Sequence, residues 1–172
     1  MPNASDTTRD IFLIGLHNAH ALESEAISLM SRQIERLENY PEMSQRLQQH
    51  LQETEIQLQR LDEILNSLGD SASTLKDTTS KIMANVSAIG HSLAGDEILK
   101  NTFANYAFEN FEAASYKSLI TMAEAGGFQK AIPALKETLE EELAMAAWID
   151  AHIADTTNRF LTLKQGGEQA KR

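Results

Sequence analysis

Residues 41–69 read PEMSQRLQQHLQETEIQLQRLDEILNSLG. Leu47, Leu51, Leu58, Leu61, Leu65 and Leu68, with Thr54 among them, recur three and four apart, which places them on one face of a helix. Pro41 suits the first turn, where its missing N–H costs nothing, and Gly69 suits the C-terminal cap. At ~1.5 Å per residue such a helix is about 40 Å long, the length of a bundle element. Upstream, Leu16, Ala19, Glu23, Ala26 or Ile27, Met30, Ile34 and Leu37 mark a first helix over residues 9–39, broken before Pro41. Downstream, Asp96 fits the N-cap of a helix over 96–125 carrying Ile98, Phe103, Phe108, Glu112, Ser115, Leu119 and Met122, and Gly126-Gly127 stop it. A last helix over 132–163 starts at Ile132-Pro133 and runs through Leu135, Leu139, Glu142, Ile149, Ile153 and Phe160.

Between the two halves the chain changes character. Ser, Thr and Asp dominate from residue 70, and a shorter amphipathic pattern over 74–90 follows, carried by Leu75, Ile82, Val86 and Ile89. Residues 164–172 are polar and are expected to fray. Strand-type alternation is missing. Two short-turn helix pairs joined by one long crossover predict an all-α, ferritin-like antiparallel four-helix bundle, with an additional short helix in the crossover. All 172 residues fit one domain with one core.

Composition excludes several functions. The 25 Asp and Glu outnumber the 15 Lys and Arg, for a net charge of -10, and no basic run appears, which argues against nucleic acid as a partner. The lack of Cys removes disulfides, thiolate nucleophiles and iron–sulfur ligation. The N-terminus MPNASDTTRD has no basic region followed by an apolar run, and no segment reaches the ~20 apolar residues needed to span a bilayer, so a cytoplasmic location without membrane attachment is expected. No Ser-His-Asp grouping or phosphate-cradling Gly loop is present, and catalytic residues remain unassigned.

Acidic residues interrupt the apolar stripes. They are Glu23, Glu53, Glu112 and either Glu141 or Glu142, one on each long helix. A carboxylate turned inward is costly to bury alone, so a set of four calls for a shared counter-charge, and one or two metal ions are the economical choice. The two halves echo each other: His20-x-x-Glu23 and His50-x-x-Glu53, then Glu109-x-x-Glu112 and Thr138-x-x-Glu141. Residues three apart share a helix face, which adds His50 and Glu109 to the candidate ligands. On the last helix periodicity favours Glu142 and the echo favours Glu141. Carboxylate-rich sites with imidazole suit iron or manganese. Lys and Arg are scarce near these glutamates, which favours metal over ion pairing. His17 and His20 read as hydrogen-bonding neighbours of Glu23, Tyr106 and Tyr116 as core packing, Trp148 as a core or interface anchor, and His152 as solvent-facing.

The stretches LHNAHALESEA, NYPEMSQRLQQHLQETEIQLQRLDEIL, DEILKNTFANYAFENFEAASYKSLI and IPALKETLEEELAMAAWI, with TTNRFL near the end, resemble the YciE/YciF-like family of bacterial ferritin-like stress proteins, closest to its YciE branch. The resemblance implies a ferritin-like bundle, a homodimer, a cytoplasmic protein made under stress and metal binding. Its acidic positions fall on Glu23, Glu53, Glu112 and Glu141-Glu142. Better-known di-iron proteins of this fold use Glu-x-x-His on the second and fourth helices. Here those pairs are Glu53-x-x-Ile56 and Glu141-x-x-Ala144, Asn110 replaces a His common in the broader family, and Ala146-Ala147 replace an acidic residue. Two functions follow as expectations: an iron or manganese protein of metal handling or oxidative-stress defence, or a non-enzymatic dimeric stress or scaffold protein with a degenerate site. A di-metal oxidase acting on an organic substrate is the weakest reading, because the chain offers no substrate-pocket signature.

Overall fold

The computed structural model describes residues 4–71 and 94–172, with side chains from residue 7 onward. Four helices account for most of them: α1 (Ala4–Ile34), α2 (Pro41–Ser67), α3 (Glu97–Gly126) and α4 (Ile132–Gln165). Among the described residues there is no strand. The short helix expected over 74–90 lies outside the described residues.

The directions of the helices follow from two apolar clusters. One contains Phe12, Leu16, Leu61, Leu65, Leu119, Ala123 and Leu135. The other contains Met30, Met43, Leu47, Ile98, Met145, Ile149 and Leu163. Helices α1 and α4 run from the first cluster to the second, and α2 and α3 run back. Every neighbouring pair is therefore antiparallel, and the chain leaves α2 at one end of the bundle and enters α3 at the other. That geometry is why the connection must be long, and it is the ferritin-like arrangement. Of the four adjacent pairs, α3 and α4 pack together most extensively, followed by α1 with α2 and α1 with α3, while α2 and α4 touch least.

The ends of the helices show what each sequence signal was worth. Gly69 and Gly127 both adopt left-handed backbone (φ +74° and +76°), and past them Asp70 N–H donates to Leu65 O (3.0 Å) and Phe128 N–H to Ala123 O (2.8 Å). These bonds satisfy carbonyls that the helix end leaves open. Gly127→Ala is expected to destabilise the fold by about 1 kcal/mol, since a Cβ is disfavoured at this φ; a thermal melt should fall by roughly 2–4 °C. Asp96 does stand at the N-cap of α3, but its carboxylate caps no amide and instead lies 2.9 Å from Lys100 Nζ.

Two boundaries differ from the sequence reading. Helix α1 starts at Ala4 and stops at Ile34, short of residue 39. The turn that follows is held from outside: Arg36 forks onto the buried Glu97 (2.6 and 2.8 Å). The C-terminal residues, expected to fray, fold back over this end of the bundle. Tyr40 Oη donates to Ala170 O (2.5 Å), Asn39 Nδ2 to Gln169 O (2.7 Å), and Ile98 N–H to Lys171 O (3.0 Å). Ala170 is buried as a result. A polar composition predicted disorder here because it counts apolar side chains and misses backbone carbonyls that neighbouring donors can use.

Candidate metal centre

Between the two apolar clusters lies a polar layer to which all four helices contribute. Glu23 comes from α1, His50 from α2, Glu109 and Glu112 from α3, and Glu142 from α4, and all five are buried. Thr54, Gln57 and Thr138 are buried in the same layer. The inward register on α2 is therefore 50, 54 and 57, and on α4 it is 138, 142 and 145.

Donor atoms of these residues gather into two triplets. His50, Glu109 and Glu142 form one, and Glu23, Glu112 and Glu142 the other, with the three atoms of each lying within 4.8 Å of one another. Glu142 belongs to both. Ligands about 2.1 Å from one ion lie up to about 4.2 Å apart, so each triplet needs only a modest contraction to close on a cation. Many of the carboxylate oxygens lack partners. Oε2 of Glu23, Oε1 of Glu112 and both oxygens of Glu142 are buried without a hydrogen bond. Oε2 of Glu109 lies 3.0 Å from His50 Nε2, in range of its charge, yet accepts no directed hydrogen bond. Buried acceptors of this kind are rare unless something else satisfies them. An oxygen-rich set with one imidazole fits iron or manganese in donor chemistry.

Burial controls the protonation of this layer. It pushes the Glu23 carboxyl up to about 8, against the opposing pull of the Tyr116 hydroxyl and His50. It drives Glu112 and Glu142 well above the ordinary carboxylate range, with neighbouring carboxylates adding to the effect. For His50 burial favours the neutral ring, but Glu109, Glu53 and Glu142 outweigh it and raise the imidazole to about 10. Without an ion, the layer favours neutral carboxyls at Glu23, Glu112 and Glu142 and a charged imidazole at His50.

The other candidates fall elsewhere. Glu53 sits at the edge of the layer and receives His50 Nδ1–H (2.9 Å), Gln49 Nε2 (2.8 Å) and Arg46 Nη1 (3.1 Å). Burial works against its charge, but these three donors hold its carboxyl down at about 2. Glu141 lies in the seam between α2 and α4, paired with Arg60 (2.6 and 3.1 Å) and with Gln57 Nε2 (2.9 Å). The two candidates turned toward the surface, Glu53 and Glu141, have thus acquired arginine partners, whereas among the described residues the positive group beside the inward ones is His50. Positions 56 and 144 are exposed. A His at either would face away from the centre; on α4 the inward position three past Glu142 is the buried Met145, so α4 brings no imidazole into this layer.

Several smaller expectations change. Tyr116, read as core packing, donates its hydroxyl to Glu23 Oε1 (2.5 Å). Its spacing four residues past Glu112 places it on the same face, and that was the available signal. His17 and His20 do not serve Glu23, since they face Asp70 and Asp62, each at 3.2 Å. Trp148 is half-buried and stacks on His152, with ring centroids 3.9 Å apart. Gln57 and Arg60 were not singled out as functional, because a Gln and an Arg on an acidic, Gln-rich helix carry no distinctive pattern.

Comparison with known proteins agrees with the four-helix fold. Residues 7–162 match a family model described as a domain of unknown function, DUF892. The chain is similar to Escherichia coli protein YciF, at 31% identity over 149 residues, which is 80% of this chain and 85% of the relative. Among solved structures it resembles a Xanthomonas campestris protein (TM-score 0.78, 30% identity, 92% of this chain and 99% of the other). It also resembles the E. coli stress protein YciF itself (TM-score 0.72, 28% identity, 88% and 97%).

Proposed function

Because the chain belongs to the DUF892 family, whose relatives include the stress protein YciF, we propose that its bundle is a metal-binding scaffold serving metal handling or oxidative-stress defence. The observation that carries this reading is the pair of buried triplets sharing Glu142, whose carboxylate oxygens crowd one another with His50 as the nearest positive group. His50, Glu109 and Glu142 would hold one iron or manganese ion, and Glu23, Glu112 and Glu142 a second. Bound ions would supply one-electron chemistry toward oxygen or peroxide. The protein's own part is to hold the donors in place. Tyr116 orients Glu23 through its hydroxyl, and Glu53 fixes His50 through Nδ1, so that Nε2 faces Glu109 and Glu142. Glu53 and Glu141, the remaining candidate ligands, act in this reading from outside the centre.

One observation favours the alternative of a non-enzymatic stress or scaffold protein with a degenerate site. His50 already provides a counter-charge, 3.0 Å from Glu109 and 3.6 Å from Glu142. Anaerobic loading of untagged protein with Fe(II) or Mn(II), followed by elemental analysis, separates the two. Up to two ions per chain are expected, and a Glu23→Ala/Glu112→Ala variant should lose at least one. Equal, sub-stoichiometric metal in both proteins would establish the alternative. Assignment to the YciE branch, a homodimer and a cytoplasmic location belong to the same proposal and rest on the sequence resemblance. Among the described residues no helix is long and apolar enough to cross a membrane.

A further inference from the structure

The proposed centre is closed to solvent, so an ion can reach it only where the bundle opens. Helices α2 and α4 make the loosest of the four contacts between neighbours. Beside the centre they are joined by ion pairs and hydrogen bonds. Arg60 of α2 holds Glu141 through Nη1 (2.6 Å) and Glu137 through Nη2 (2.7 Å), and Gln57 holds Glu141 through Nε2 (2.9 Å). The outermost of these, to Glu137, is exposed and exchanges with water at low cost, unlike a packed apolar seam.

On α4 three carboxylates run inward from this seam. The side chain of Glu137 is 62% exposed, that of Glu141 23%, and that of Glu142 0%. Glu137 and Glu141 are one turn apart on the same face, and Glu142 follows directly in sequence. The inner end of this series offers free acceptors, because both oxygens of Glu142 and Oε1 of Gln57 are buried without a hydrogen bond. The Arg60 guanidinium occupies the place where a cation arriving along the series would first be held.

We infer that the α2–α4 seam is the cation entry route of this protein. Glu137 and Glu141 receive a divalent ion and pass it to Glu142, and Arg60 is the plug the ion displaces. The inference rests on the metal-binding reading above, and concerns the rate of uptake rather than the final occupancy. Acidic side chains raise the local concentration of cations and speed their arrival, while a fixed positive charge at the mouth opposes it.

The test is rapid mixing of the metal-free protein with Mn(II), with unbound ion followed by freeze-quench electron paramagnetic resonance. Arg60→Gln should take up Mn(II) about threefold faster or more, and Glu137→Gln slower by a similar factor, at unchanged final stoichiometry. Glu140→Gln removes the same charge from an exposed position off the seam and should keep the wild-type rate. Wild-type rates in the Arg60 and Glu137 variants, with full occupancy, would overturn the route and leave the centre standing. An equal slowing by Glu140→Gln would reduce the effect to overall charge and also overturn it. Wild-type protein that binds no Mn(II) would overturn the centre and the route together.

Discussion

Glu142→Gln is expected to abolish metal binding while leaving the metal-free fold almost unchanged. Glu142 is the one residue common to both triplets, so its loss removes a donor from each. Affinity for both ions should fall at least about 100-fold, more than is typical for residues that only support a ligand. The fold should tolerate the change because burial raises the Glu142 carboxyl well above the ordinary carboxylate range and so favours its neutral form. A neutral amide is close to that form in shape and charge. The informative comparison is Glu141→Gln, which breaks contacts to Arg60 and Gln57 but touches neither triplet. Titration with Mn(II) should show binding lost in the first variant and retained in the second. The reverse result would move the centre from the core to the seam.

The metal-free protein is expected to lose stability as pH rises from 6.5 to 8, and bound metal should reverse that trend. Glu23 titrates near 4.5 when free and near 8 in the fold. Its folded form holds the proton more tightly, so its contribution is complete below 4.5 and is lost as pH rises through 8. His50 moves from 6.5 to about 10, and its contribution is complete below 6.5 and is lost through 10. Glu53 works in the opposite sense: held down at about 2, it stabilises above 4.5 and loses that effect as pH falls through 2. Between 6.5 and 8 the first two effects coincide, and both favour the folded state less as protons leave. One net proton corresponds to about 1.4 kcal/mol per pH unit, or roughly 3–6 °C in melting temperature for a domain of this size. Metal must displace these same protons, so its affinity, and the stability it confers, should increase with pH. Melts of chelator-treated and Mn(II)-loaded protein at pH 6.5 and 8 provide the check. A flat profile in the chelated protein would mean that neither Glu23 nor His50 holds its proton more tightly in the fold than free in the unfolded chain.

The order of the four long helices and the glycine-marked stops of α2 and α3 were legible along the chain because they depend on local chemistry. The three- and four-residue spacing of Leu47 through Leu65 creates an apolar stripe whatever it packs against. Gly69 and Gly127 end helices because only a residue without a Cβ takes a positive φ at little cost. Glu23 and Glu112 were also readable, since each stands within an apolar stripe and has no other face to occupy. Two adjacent glutamates, 141 and 142, could not be separated in this way. They are 100° apart on the helix, and a stripe of uncertain width admits either.

Tertiary packing decided the rest. The way α4 is turned against α2 sends Glu142 to the core and gives Glu141 to Arg60. It also sets the inward register of α2 on His50 and Gln57 while Ile56 faces out. Tyr116 reaches Glu23 across 93 positions of sequence, and the tail docks on Tyr40 across 130. Sequence by itself therefore determined the four long helical segments and that carboxylates lie within their apolar faces. Only the tertiary structure decided which carboxylates meet, because that depends on the rotation of each helix about its own axis, and the packing of its neighbours sets that angle.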